Sequence, residues 1–370
     1  MKHLVLLGAG HAHVHLLSTL AARPVAGVQI SLVTPYPRQF YAGMVPTYVA
    51  GHCALEDCAI ALAPVLESTG VTWHRGNVTG LNVAERSLSL DDGSTLTYDL
   101  LSINAETVQD RQKIEHFIPG SREHALFVRP IEPFGMLWPK VLELGQQRPL
   151  RFAIVGGAST GFELACAVAH RLAGSSVTLL SGDAPVGSNC PVGVQAMLAR
   201  ALKERFITVI QERVIGIAAG EVSLSSGAKL ACDVPVITIG MQTPNWLQGS
   251  GLALDENRLV AVDKFGRSTS HPQVFAVADM ASCIDSHRIN AKANPACASS
   301  TLVKNIRAVL AGIEPPAVVP KIQAPTWWCC GDRRAVVQWG VWSAQGRWAW
   351  WLKNWLDRRL MRRYAAGRGG

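Results

Sequence analysis

Apolar residues run unbroken from Leu4 to Leu7 and stop at the glycines Gly8 and Gly10. Beyond them Val14, Leu16, Leu17 and Leu20 recur at helical spacing, and a second apolar run, VQISLVTP, starts at Val28. An all-apolar run, a glycine turn, an amphipathic stretch and another apolar run predict a strand, turn, helix and parallel strand. The same order returns about 148 residues later, counted from Gly8 to Gly156, as LRFAIVGGASTGFELACAVAHRL followed by SSVTLLS. Two such units predict an α/β chain with two Rossmann-like nucleotide-binding domains.

The glycines carry the chemistry. Gly8 permits the tight turn, and Gly10 lets the backbone approach a diphosphate resting on the N-terminus of the helix, where N–H groups and the helix dipole attract negative charge. His13 stands where the fingerprint has its third glycine. It is flanked by His11 and His15, which lie four apart on one helical face with neither carboxylate nor cysteine beside them. The residues leave two readings, a two-histidine metal site or histidines that pack the helix start; the second is expected, with no metal.

With 370 residues, 48% hydrophobic and 17% charged, the chain should fold into two or more well-packed domains sharing a ligand. No apolar run reaches the length of a membrane helix, and the start reads as no signal peptide, so a cytoplasmic protein is expected. Nine cysteines, irregularly placed, fit buried or reactive thiols better than a disulfide framework. The net charge of +8 sits mostly in the last 44 residues, which hold nine Arg or Lys against Asp332 and Asp357 and eight of the eleven tryptophans. The body is therefore near neutral, and nucleic acid is not expected as a partner. In the tail, Leu352, Trp355, Leu356, Leu360 and Tyr364 fall at helical spacing. Two readings stay open: a helix lying on the inner face of an anionic membrane, or one that packs its tryptophans inward and leaves its arginines wet.

Beyond the two glycine turns, VPVITIGMQTPNWL and RSTSHPQVFAVAD complete a resemblance over nearly the whole chain. It resembles the two-dinucleotide-binding flavoproteins of the pyridine nucleotide-disulfide oxidoreductase superfamily. GAGHAHVHLL and YAGMVP are most similar to its type II NADH dehydrogenase-like branch and to the flavoprotein domain associated with selenide, water dikinase. The resemblance implies a discontinuous FAD domain over residues 1–125 and 235–325, an NAD(P) domain over 126–234 inserted between them, and a small C-terminal segment over 326–370. It implies FAD held by Gly8, Gly10, His11, Ala12, Thr34, Pro35, Arg38, Val78, Asn104, Ala105 and Asp279. NADH or NADPH would be held by Gly156, Ala158, Thr160, Gly161 and Gly240, with Glu163 near the nicotinamide and Lys292 near the flavin ring. It further implies an enzyme passing hydride from nicotinamide to flavin and electrons on to a small acceptor such as a quinone. IPGSREH and IEPFGMLWP read as crossover segments between the domains.

Several positions depart from the pattern. Ala158 stands for the central glycine of the second turn, Ser181 where an acid would meet the NAD ribose with Asp183 as its substitute, Thr34 for an acid at the FAD ribose, and Ala278 for the glycine before Asp279. Ser299 and Ser300 replace the glutamine-containing motif found near a quinone, so the acceptor stays open. Cys53 and Cys58, with four residues between them, offer a rival dithiol chemistry, although Glu56 and Asp57 between them would raise their thiol pKa values. Their other reading is two small buried residues on a helix. Cys329 and Cys330 mark a sulfide-oxidising alternative, and a non-catalytic FAD-binding protein with a decayed NAD(P) site is the third class.

Overall fold

The computed structural model describes residues 1–283, 295–317 and 325–365, with the side chains of 295–298 and 363–365 left aside. Its first sheet is fully parallel, in the order Val274–Ala276, Leu100–Ile103, Lys2–Leu7, Val28–Val33, Thr72–His74. The second repeats the design: Leu126–Phe127, Val234–Ile237, Arg151–Val155, Ser176–Leu180, Thr208–Ile210. In the first sheet the chain starts at the central strand Lys2–Leu7, builds outward to Thr72–His74 and then returns to the other side; in the second it enters at the edge strand Leu126–Phe127, and then runs from the central Arg151–Val155 outward to Thr208–Ile210 and back to Val234–Ile237. That leaves a topological switch point between Lys2–Leu7 and Leu100–Ile103, and another between Arg151–Val155 and Val234–Ile237. Crevices for ligands open at such points, at the carboxyl ends of the strands.

Each unit also carries a three-stranded antiparallel sheet, Val78–Asn82 with Ser87–Leu90 and Thr95–Thr97 in one, Val214–Ala218 with Glu221–Leu224 and Lys229–Ala231 in the other. The chain leaves the first sheet and comes back through two strands that pair antiparallel, Val108–Gln109 and Met241–Gln242. Gln109 donates from its side chain to the carbonyls of Ile237 and Ile239, at 2.9 and 2.8 Å, and so ties this crossing to the second sheet.

One apolar cluster runs from the first sheet and helix His11–Ala22, through Phe134, Trp138 and Phe152, into helix Ser159–Arg171 and Trp328 of the C-terminal segment. It is the burial of this shared apolar surface that joins the parts. IEPFGMLWP differs from expectation: it opens a 17-residue helix, Ile131–Gln147, with Pro139 inside. Ile131, Phe134 and Trp138 are buried along its face, and their burial outweighs the one helical hydrogen bond that the proline removes. The C-terminal segment forms an antiparallel sheet, Thr326–Cys329, Ala335–Trp339 and Trp342–Gly346, and then the helix Arg347–Ala365.

Candidate active site

Gly8 has φ +85°, and a Cβ placed on it would stand 2.5 Å from the Asn104 carbonyl oxygen. Only glycine lets the first turn pass this close to the neighbouring strand end across the switch point. The amide of Gly8 donates to Val33 and that of Gly10 to Asn104. His11–Ala22 starts at Gly10 with no side chain capping its first turn. Beside that start lies the carboxamide of Asn104, whose Nδ2 is buried without a protein hydrogen-bond partner among the described residues. An uncapped helix start and an idle amide donor in one crevice suit a diphosphate-bearing ligand.

The sheet gathers most of the expected FAD residues along its carboxyl edge. Ala12 is buried in the first turn of the helix, and Ala105 follows Asn104 at the switch point. Thr34 and Pro35 close the strand Val28–Val33, with the Thr34 carbonyl accepting from the Trp73 indole at 3.0 Å. Val78 opens the antiparallel sheet that sits beyond the Thr72–His74 strand. Asp279 is exposed on a short helical turn just after the strand Val274–Ala276. Arg38 is drawn elsewhere: its guanidinium grips Glu132 of the helix Ile131–Gln147, with Nη2 2.6 Å from Oε1.

His13 locks the turn from within. Its Nδ1 lies 2.6 Å from the Gly8 carbonyl and its Nε2 2.8 Å from Ser102 Oγ. A carbonyl only accepts, so Nδ1 carries the proton and Nε2 accepts from the serine, which is the neutral ring. Burial pulls the pKa of His13 down to about 4, against the Gly8 hydrogen bond, and burial brings His11 to about 4 as well.

The second turn is built alike. Gly156 has φ +126°, and a Cβ there would meet Thr238 Oγ1 at 2.5 Å across the second switch point. Gly161 packs against the Gly156 carbonyl, holding helix to strand. Ala158 is the residue before the helix, extended at φ −76° and ψ 179° with no side-chain cap; its methyl group and Thr160 are exposed at the crevice mouth. Gly157 faces Ser181, whose Oγ is buried with no protein partner among the described residues. Asp183 is exposed and paired with Arg213 at 3.2 Å. Gly240 follows the strand Val234–Ile237 at the same edge.

Glu163 is the fifth residue of helix Ser159–Arg171 and lies inside the protein, where the amide of Cys329 donates to its Oε1 at 2.8 Å. Burial lifts its pKa, opposed by Lys353 and by the Cys329 amide. Lys353, on the C-terminal helix, is buried and donates to the Gly43 carbonyl and to Asp357 Oδ2, both at 2.7 Å. Burial alone would lower its pKa, but Cys329, Asp357 and Glu163 around it carry it above the ordinary value. Burial and Asp357 likewise raise Tyr41. Glu163 was expected near the nicotinamide, but its company of Lys353, Asp357 and Tyr41 escaped sequence reasoning; the one trace of these three was the Lys–Asp pair four apart in an otherwise basic tail.

Cys53 and Cys58 come together with Sγ atoms 3.5 Å apart, one in a loop and one closing the helical turn Glu56–Cys58, not side by side on a helix. The Cys58 hydrogen bond lowers the Cys53 pKa despite burial and Asp57, while Cys58 itself is raised. Cys329 and Cys330 are buried thiols, the latter pushed up to about 12 by burial. Lys292 lies outside the described residues.

Known proteins are similar to this chain in sequence and fold. An NADH dehydrogenase-like protein of Mycobacterium tuberculosis (strain CDC 1551 / Oshkosh) is 26% identical over 302 residues, 76% of this chain and 73% of its own length. The ferredoxin reductase component of chlorobenzene dioxygenase from Cupriavidus sp. (strain PS12) is 31% identical over 56% of this chain and 49% of its own. Among solved structures, NDH2 of Plasmodium falciparum in complex with NADH superposes with TM-score 0.79 at 13% identity, covering 99% of this chain and 97% of that one. The sulfide:quinone oxidoreductase of Aquifex aeolicus gives 0.77 at 16% identity, covering 100% and 92%. Residues 2–299 match the family described as pyridine nucleotide-disulphide oxidoreductase. With two glycine turns at two switch points and that match over most of its length, the chain belongs to the pyridine nucleotide-disulphide oxidoreductase family.

Proposed function

We propose that this chain is an FAD-dependent oxidoreductase that takes hydride from NADH or NADPH and hands electrons to a small acceptor, a quinone or an oxidant of similar size. The observation that carries the reading is the repeated glycine turn: each pairs an uncapped helix start with a buried polar group lacking a protein partner among the described residues, Asn104 Nδ2 across the first switch point and Ser181 Oγ beside Gly157 at the end of the neighbouring strand Ser176–Leu180. A bound flavin would supply the two-electron chemistry. The protein's share is binding and orientation. Gly8, Gly10, His11 and Ala12 would hold one diphosphate on backbone N–H groups, with Asn104 donating beside them. Thr34, Pro35, Val78 and Ala105 would wall the adenosine half, and Asp279 would accept from ribityl hydroxyls. Gly156, Ala158, Thr160 and Gly161 would hold the nicotinamide nucleotide's diphosphate, and Gly240 would leave room at the facing edge. Glu163, fixed by the Cys329 amide and faced by Lys353, would orient the nicotinamide end. Lys292 is assigned to the flavin ring side.

Anaerobic titration of the purified protein with each nicotinamide is the test. The expected result is a yellow protein whose flavin band bleaches with NADH or NADPH and recovers with a quinone. A protein that retains no FAD after reconstitution overturns the reading, and FAD that neither nucleotide bleaches leaves a binding protein without the reaction. The 3.5 Å approach of Cys53 and Cys58 favours one second reading, a dithiol that takes electrons from the flavin and reduces a substrate disulfide. Under that reading Cys53→Ser keeps bleaching and loses disulfide reduction; under the first it leaves quinone reduction intact.

A further inference from the structure

One wall of the second crevice is a rim whose parts are tied to one another. The loop that leaves the strand Ser176–Leu180 folds back over the glycine turn, where the amide of Gly187 donates to the Gly157 carbonyl at 3.4 Å. Ser181 opens that loop, pressed so close to the turn that a Cβ on Gly157 would stand 2.7 Å from the Ser181 Cβ. Its Oγ is buried and has no protein partner among the described residues. Two side chains just beyond the neighbouring strand Thr208–Ile210 hold the loop from the other side. Gln211 donates to the Asp183 carbonyl at 2.9 Å, and Arg213 pairs through Nε with Asp183 Oδ1 at 3.2 Å. Glu212 between them is engaged elsewhere, its carboxylate accepting from the Ser226 amide at 3.1 Å.

We propose that this rim selects NADPH over NADH, with Ser181 and Arg213 receiving the 2′-phosphate of the adenosine ribose. The inference rests on the nicotinamide reading above and names the donor within it. An unphosphorylated ribose is chosen by a carboxylate at the end of this strand, which accepts from the 2′-hydroxyl and repels a phosphate. Here a neutral hydroxyl takes that place, and a hydroxyl can donate to a phosphate oxygen. The next acid along the loop, Asp183, is covered by Arg213, so the rim presents the ribose with no lone negative charge from that side chain. The pair itself is open to solvent, its side chains 68% and 76% exposed. Exposed ion pairs are held weakly, whereas a guanidinium and a phosphate dianion make parallel charge-assisted hydrogen bonds. Arg213 therefore has more to gain from the phosphate than it loses at Asp183. The uncapped start of the helix Ser159–Arg171 adds its positive end to the same crevice.

The test is calorimetric titration of the full chain, with excess FAD present, using adenosine 2′,5′-bisphosphate and adenosine 5′-monophosphate as probes, beside anaerobic bleaching by NADPH and by NADH. The bisphosphate should bind about tenfold more tightly than the monophosphate, and NADPH should bleach the flavin at about a tenth of the concentration that NADH needs. Arg213→Ala, at an exposed position and so compatible with an unchanged fold, should remove most of that ratio. Ser181→Asp should turn the preference toward the monophosphate and NADH. Equal binding of the two probes overturns the proposal, as does a ratio that Arg213→Ala leaves in place. Bleaching by NADH as readily as by NADPH also overturns it, and leaves the flavin reaction standing. A flavin that neither nucleotide bleaches, in a protein that still prefers the bisphosphate, removes the reaction and upholds the selectivity of the rim.

Discussion

His13 shows at the scale of one residue how a departure from a fingerprint becomes part of the fold. Where the third glycine would leave space, its ring fills the turn and bonds at both nitrogens, to Gly8 and Ser102. Its pKa is about 4 in the folded chain and 6.5 when free, so between those values the unfolded state takes up the proton first. The stability it contributes is complete above pH 6.5 and is lost as the pH falls toward 4, by about 3 kcal/mol for this ring alone. Urea unfolding at pH 7 and pH 5 should show a drop in midpoint that His13→Gln makes smaller; equal slopes for the two proteins would refute the assignment. Ala278 is a second such residue, with φ +56° where a glycine was expected. Ala278→Gly should come out neutral or slightly stabilising, within about 0.5 kcal/mol, because relief of strain offsets the added freedom of the unfolded chain. Ala278→Val should cost more than about 1 kcal/mol, since a β-branched residue tolerates that conformation poorly; thermal unfolding of both variants decides. The histidine was visible in the sequence, but its role depends on Ser102, from a strand 89 positions away, which no local pattern points to.

At the scale of elements, the two strand–turn–helix units were legible because glycine spacing and apolar runs are local signals tied to backbone geometry. The C-terminal helix was only half legible. Periodicity locates an apolar stripe but not what the stripe faces, and here Trp350 goes in while Trp348, Trp351 and Trp355 go out. Leu360 is half buried and does not continue the outward stripe. The inward face is anchored instead by Lys353 and Asp357, an ion pair whose two members are each about a tenth exposed or less. Lys353→Met should therefore destabilise by about 3–5 kcal/mol, because it strands the Asp357 carboxylate. Lys353→Met with Asp357→Leu should recover much of that loss, and a double-mutant cycle by chemical denaturation measures the coupling. Arg38 is the counterpart among the misplaced residues: nothing in its surroundings along the chain announces Glu132 as its partner.

For the whole molecule, the repeat at residues 8 and 156 was enough to predict two parallel sheets, and both are present, differing in the edge strand that the second sheet takes from Leu126–Phe127, ahead of its glycine turn. What the repeat did not carry is how the C-terminal segment bridges them. It reaches the second unit through the Cys329 amide on Glu163 and the first through Lys353 on the Gly43 carbonyl. Glu163→Gln should leave folding nearly intact while lowering the rate of bleaching by nicotinamide more than the affinity of the protein for flavin, a split that stopped-flow kinetics reads directly. The crossing between the sheets has its own consequence. Because Val108–Gln109 and Met241–Gln242 run side by side as one ladder, the outgoing and returning chain are separated by only about 5 Å. Excising the stretch between them and sewing the ends with a two-residue turn would yield a shorter polypeptide with its first sheet uninterrupted, and the removed piece, its own termini already adjacent, could be grown as a separate recombinant module or rejoined in a permuted order.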